Sequence, residues 1–83
     1  MDTQSILADY IRQEIMRNRN AKLNPTDDLL GAGILDSLGI LQLVGFIEER
    51  FGLQVPDEDV VYENFNSLQS LSDYLAQLKA SKA

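Results

Sequence analysis

A single serine, Ser37, is the side chain in this sequence best placed to carry chemistry. It lies in the stretch 34–41, where a long connection ends and a predicted helix begins. A hydroxyl at such a junction is exposed at the positive end of the helix dipole, where unpaired backbone N–H groups favour an anion. The position therefore suits the attachment of a phosphate ester.

Two other roles for Ser37 have to be weighed, catalysis and helix capping. A serine nucleophile needs an adjacent base, and this chain has no histidine and no cysteine. Lys79 and Lys82 lie in the C-terminal tail, and Asp36 is only a neighbour in sequence, so we expect no catalysis by the chain. Capping explains most serines at helix starts, and on the residue alone that role stays open.

The composition indicates one small globular domain spanning 1–83, with an acidic surface. The 83 residues carry a net charge of −6. Residues 1–22 hold four basic and three acidic side chains (net +1), whereas residues 23–83 hold three basic and ten acidic ones (net −7). We expect such a surface to repel nucleic acid and anionic membranes and to attract basic partners; an equal alternative is that the acidic surface only keeps a small protein soluble. The absence of cysteine suits a cytoplasmic protein, and we expect a monomer.

Hydrophobic periodicity predicts an all-α fold, a small four-helix bundle with a long loop between helices 1 and 2. The predicted helices cover about 3–18, 37–51, 57–65 and 67–79, and the third is short. Asp2 or Thr3 can cap the first helix, Asp36 the second and Asn66 the fourth, with Gln69 at the reciprocal position of a capping box.

The connection 19–36 is unusually long for a compact domain. It contains five apolar side chains, which predict that it packs over the helices: Leu23, Leu29, Leu30, Ile34 and Leu35. Within helix 2 we expect a core-facing stripe of Ile40, Leu43, Val44, Ile47 and Phe51. No metal site is expected, because Asp57-x-Asp59 lacks the further ligands and the glycine of a calcium loop.

Several segments together resemble the acyl carrier and peptidyl carrier proteins. They are 33–38 (Gly-Ile-Leu-Asp-Ser-Leu), the helix end 48–52 (Glu-Glu-Arg-Phe-Gly), 55–58 (Val-Pro-Asp-Glu) and 66–68 (Asn-Ser-Leu). The resemblance runs from about Thr3 to Leu78. Asp-Ser-Leu alone would be weak, but the acidic composition, the long apolar loop and the four helices in register make the resemblance specific.

The resemblance implies a cofactor, 4′-phosphopantetheine, esterified to Ser37 by a separate phosphopantetheinyl transferase that takes it from coenzyme A. Acyl or aminoacyl groups are then carried as thioesters on the thiol of that arm, so the chain itself is no enzyme. In the matching positions, Asp36 shapes the site for the transferase and Leu38 is an exposed apolar contact.

The same resemblance implies a partner-binding face on helix 2 and the short third helix. The residues at these positions are Leu41, Gly45, Glu48, Glu49, Val60 and Val61. The expected partners are the transferase, an adenylating ligase, and acyltransferase, synthase or condensation enzymes. For Leu41, core packing is an equal alternative, and for Glu48 and Glu49 the alternative is a solvated helix face.

The sequence departs from the pattern of fatty-acid carriers at three positions of helix 2. Gly39 and Gln42 stand where acidic residues are common, and Gly45 replaces a larger apolar residue. This favours a stand-alone carrier loaded by a dedicated ligase, such as a D-alanyl or peptidyl-type carrier. An alternative of another class is an acidic helical protein-interaction module without cofactor, in which Ser37 is only a cap.

Overall fold

The computed structural model describes residues 2–82, with the side chain of Lys82 excepted. Within this range the chain is helical and has no strand. The helices are α1 (Thr3–Tyr10), which continues into a π-helical turn at Ile11–Ile15, then α2 (Ser37–Phe51), α3 (Tyr62–Phe65) and α4 (Leu68–Lys82), with a 3-10 turn at Asp57–Asp59 before α3. The all-α fold with a short third helix is confirmed.

Helix α1 begins as predicted but ends earlier than residue 18. The Asp2 carboxylate accepts the Ser5 amide at 2.8 Å and is the N-cap. At the other end the Met16 amide donates to the Ile11 carbonyl at 2.8 Å, and Arg17 then takes the left-handed conformation with φ 55°. A left-handed residue cannot continue a right-handed helix, so the helical residues stop at Met16.

Helix α2 occupies the residues that the sequence pattern predicted. Asp36 has extended backbone and its carboxylate accepts the Gly39 amide at 2.7 Å, which makes it the N-cap. Gly52 takes the left-handed conformation at the C-terminal end, with φ 66°. Leu43 and Ile47 are fully buried, so the predicted stripe faces the core.

The prediction of one helix over 57–65 was wrong, because the segment is split at two valines. Val60 has φ −83° and ψ 77°, and Val61 is extended, so neither continues the 3-10 turn. Hydrogen bonds to Asp59 hold this break. Its carbonyl accepts from the Val61 amide at 3.0 Å and from the Asn64 side chain at 2.9 Å. The Tyr74 hydroxyl donates to the Asp59 carboxylate at 2.6 Å.

The predicted cap of the last helix was also wrong. Asn66 has φ −77° and ψ −17° as the C-cap of α3, whereas an N-cap needs extended backbone. Ser67 takes the role, since its hydroxyl accepts the Ser70 amide at 3.1 Å. Gln69 donates to Asp73 instead of reaching back to a cap. The helix runs on to Lys82, past the end predicted at 79.

The core lies among the four helices and includes the connection between α1 and α2. Leu23, Leu29 and Leu35 of this connection are buried, which confirms a packed loop. The fully buried side chains are Leu7, Ile11, Leu29, Leu43, Ile47, Phe65, Leu68, Leu71 and Leu75. Burying each contributes on the order of 1.5–3 kcal/mol, and together they fix the start of α2 at one end of the bundle.

Candidate functional site

The start of α2 presents Ser37 to solvent. Ser37 is the first residue of the helix and is exposed. Leu35 immediately before the cap is buried, and the Asp36 carbonyl accepts the Ile40 amide at 2.8 Å. The serine is therefore held between a buried anchor and the first helical turn, while its hydroxyl faces outward.

The first turn of α2 also provides donors for an anion. The carboxylate of Asp36 takes the Gly39 amide, whereas within the described chain the amides of Ser37 and Leu38 donate to no other group. Free N–H groups and the positive end of the helix dipole stabilise negative charge. An ester-linked phosphate on Ser37 would lie where these donors can reach it.

An exposed apolar surface adjoins the serine. Leu38 is 64% exposed and Leu41 is 69% exposed, although most leucines are buried in folded proteins. For Leu41 the structure therefore excludes the core-packing alternative. Gly45 continues the same helix face, and a Cβ at this position would meet nothing within 4 Å. Glu49, one turn further, is exposed.

The remaining candidate partner residues lie in different settings. Val61 is 42% exposed, while Val60 is partly buried against the core. Glu48 is also partly buried, and its carboxylate accepts the Val55 amide at 3.0 Å. This contact ties the segment after α2 back to the helix, so the structure gives Glu48 an internal partner that the sequence pattern did not reveal.

A hydrogen bond between Tyr62 and Asp28 attaches the start of α3 to the connection between α1 and α2. The Tyr62 hydroxyl donates to Asp28 at 2.9 Å, and the Gly31 amide donates to the same carboxylate at 2.8 Å. The Gly31 amide, and then Tyr62, lower the pKa of Asp28 below its ordinary value of 3.8. Burial, followed by the hydrogen bond to Asp59, raises the pKa of Tyr74 well above its usual range.

The described residues show little else that could do chemistry. They contain no group of three or more side chains able to hold a metal ion. None of the helices between residues 2 and 82 is both long and apolar enough to cross a bilayer. The features that remain at the surface are the serine, the anion-binding helix start and the apolar face.

The chain is similar to known proteins over most of its length. The family described as "Phosphopantetheine attachment site" matches residues 5–75. The chain is 28% identical to a D-alanyl carrier protein of Streptococcus suis, over 94% of this chain and 96% of that protein. It is 32% identical to one of Bacillus velezensis, over 80% and 85%, and 43% identical to an acyl carrier protein of Syntrophobacter fumaroxidans, over 70% and 64%.

A solved structure is similar in fold as well as in sequence. The chain superposes with a TM-score of 0.74 and 28% identity on a chain of the structure described as "Crystal structure of FAD-dependent dehydrogenase". The match covers 83% of this chain and 97% of that one. The helical arrangement described above is therefore found in an experimental structure.

Proposed function

Because the chain belongs to the family of proteins with a phosphopantetheine attachment site, we propose that Ser37 is the residue that bears the 4′-phosphopantetheine arm. The protein is a carrier that holds intermediates as thioesters on this covalently attached cofactor. The observation that supports Ser37 is its exposure at the first position of α2, directly after the capping Asp36.

The residues around Ser37 fit this role without help from a catalytic group. Asp36 fixes the helix start through the Gly39 amide, and the amides of Ser37 and Leu38, which donate to no other described group, are free to bind a phosphate. When attached, the arm supplies a thiol, which the cysteine-free chain lacks. Membership of the family implies that a separate phosphopantetheinyl transferase makes the attachment, and the sequence has no histidine that would activate the serine itself.

We further propose that the carrier catalyses no step itself and meets its enzymes, in the cytoplasm, through the exposed face of α2. Leu38 and Leu41 provide apolar contacts beside the serine, and Gly45 allows close approach of a partner. Glu49 and Val61 lie at the edge of this exposed face. An ion pair between Glu49 and a partner contributes little energy there, but it helps to orient the partner.

For the cargo, we propose an aminoacyl group loaded by a dedicated adenylating ligase. Several D-alanyl carrier proteins match over nearly the whole chain, whereas an acyl carrier protein matches over 70% of it. The sequence of α2 agrees, since Gly39 and Gln42 stand where the resemblance places acidic residues in fatty-acid carriers, and Gly45 stands where it places a larger apolar residue. An acyl cargo is the second candidate, supported by the 43% identity to an acyl carrier protein.

The attachment is tested by intact mass after incubation with coenzyme A and a phosphopantetheinyl transferase of broad specificity. We expect a gain of one phosphopantetheinyl group in the native chain and none in Ser37→Ala. Ser5→Ala is the matched control, because Ser5 is also an exposed serine in the first turn of a helix. Equal gain in Ser37→Ala, or no gain in a folded native chain, would reject the assignment and favour an interaction module without cofactor.

The cargo is tested on the loaded protein with adenylating ligases and ATP. Aminoacyl thioester should form with a ligase specific for D-alanine or another amino acid. Loading by fatty-acyl ligases alone would overturn the aminoacyl proposal while leaving the carrier role intact. The Ser37→Ala chain serves as the blank in both reactions.

A further inference from the structure

A surface cavity beside Ser37 separates the end of helix 1 from the start of α2. Its volume is about 340 Å³, and its lining includes Glu14, Arg17, Asp36, Leu38 and Gln42. Asp36 and Leu38 are the two sequence neighbours of Ser37. Ser37 itself does not line the cavity, so a group attached to its hydroxyl starts outside it, next to these two lining residues.

Arg17, which lines the cavity, has an unusual backbone conformation. It is the one residue other than glycine, among those the structure describes, with a positive φ, at 55°. It follows directly on the π-helical turn Ile11–Ile15 and Met16. Left-handed backbone is unfavourable for a long side chain, and both such outliers and π-helical turns are often found at functional sites.

The guanidinium of Arg17 is available to an anion. Within the described part of the chain, the ion pair that forms is between Arg12 and Asp9, at 2.8 Å, so Arg17 is not paired with either acidic residue of the cavity. Glu14 faces the cavity from helix 1, and Asp36 faces it from the start of α2. The Asp36 carboxylate is already bonded to the Gly39 amide.

We propose that Arg17 binds the phosphodiester on Ser37 and directs the polar part of the arm into this cavity. The inference rests on the proposed function. The arginine offsets the repulsion of the phosphate by Glu14 and Asp36, and adds charge-assisted hydrogen bonds to those of the α2 amides. It is a positioning residue, since it acts on the arm and not on the reacting thioester.

The lining of the cavity also selects which part of the arm it accepts. Glu14, Arg17, Asp36 and Gln42 present charged and amide groups, which suit a phosphate, a hydroxyl and amides better than an alkyl chain. The cavity is open to solvent and lies on the side of α2 that faces helix 1, where a Cβ at Gly39 would come within 3.7 Å of Ile15. The thiol end of the arm then remains outside, accessible to enzymes.

The test compares amide chemical shifts before and after loading, in the native chain and in three variants. Arg17→Asn removes the charge and tolerates positive φ, so the fold is kept. Arg17→Lys retains the charge, and Arg19→Asn is the matched control for an exposed arginine two residues on. Spectra of the unloaded variants verify the fold, and intact mass verifies the loading.

We expect loading to shift the amides of Gly33, Gly39 and Gln42 in the native chain. Arg17→Asn should reduce these shifts by half or more, Arg17→Lys should retain most of them, and Arg19→Asn should leave them unchanged. If loading shifted the amides of Arg17→Asn as much as those of the native chain, this inference would be overturned while the proposed function stood. Shifts confined to residues 60–62 would have the same consequence. A native chain that gains no mass would overturn the proposed function and this inference with it.

Discussion

Replacing Gly45 by alanine should stabilise the fold and impair loading at the same time. Gly45 lies in the interior of α2 and is exposed, and its added Cβ would meet nothing within 4 Å. Alanine is favoured over glycine in a helix interior by about 1 kcal/mol. For a domain of this size, that gain corresponds to a rise in Tm of roughly 4–8 °C.

The assay for the first effect is urea unfolding of the unloaded protein, followed by circular dichroism. We expect a higher midpoint with an unchanged dependence on urea, because the surface exposed on unfolding hardly changes. Gly52→Ala is the contrasting variant: its φ of 66° disfavours a side chain, so it should lose about 1 kcal/mol or more. A Gly45→Ala chain less stable than the native one would refute the placement of Gly45 in an open helix face.

The second effect is measured as the rate of loading by the transferase and by the ligase. A methyl group forced into a well-packed interface costs on the order of 1–3 kcal/mol, which corresponds to a loss of roughly 5-fold to 100-fold in rate. Unchanged loading by both enzymes would remove Gly45 from the proposed partner face, while the stability result would still stand. The two readouts therefore separate the fold from the function.

Three further changes test the site and its supports. Asp36→Ala should lower the unfolding free energy by about 1 kcal/mol through loss of the cap; an unchanged urea midpoint would count against the cap. Ile47→Val, at a fully buried position, should cost about 0.5–1.5 kcal/mol, and a neutral result would show that the core around it is loose. Asp28 has a lowered pKa in the folded chain, so the unfolded chain takes up this proton at a higher pH than the folded chain does. The stability that the ionised Asp28 contributes is therefore lost as pH falls below about 4. Asp28→Asn should therefore unfold with a weaker acid dependence, and identical pH profiles would contradict the role of its bonds to Gly31 and Tyr62.

The sequence predicted those parts of the fold whose determinants are local. Helix α2 has its N-cap, its apolar stripe and its C-terminal glycine within 17 consecutive residues, from Asp36 to Gly52, and its limits were predicted correctly. The break at Val60 depends on Tyr74, fifteen residues away from the Asp59 that it contacts. The start of α4 depends on Asn66 ending α3 first. The first contact joins residues far apart in sequence, and the second depends on which of two adjacent polar residues ends α3.

The same distinction applies to the site. Ser37 and Asp36 could be singled out because the helix start and its cap are adjacent in sequence. The proposed role of Arg17 could not be predicted, since its place in one cavity with Asp36 and Leu38 results from the packing of helix 1 against α2. Glu48 has an internal partner that the sequence did not predict, because its bond to the Val55 amide exists only in the folded chain.

Two backbone hydrogen bonds join the long loop to the end of α3 and the start of α4, and they bear on how the chain length can vary. The Leu29 amide donates to the Asn66 carbonyl at 2.7 Å, and the Gln69 amide donates to the Pro25 carbonyl at 2.9 Å. These bonds fix residues 25–29 in the middle of the connection between α1 and α2 and leave a short span on either side. Insertions should be tolerated at residues 18–22, where they only lengthen a surface loop at small entropic cost. The same insertion at 30–35 would displace the buried Leu35 and with it the start of α2, so the distance along the chain from Leu29 to Ser37 is the length that selection has to conserve.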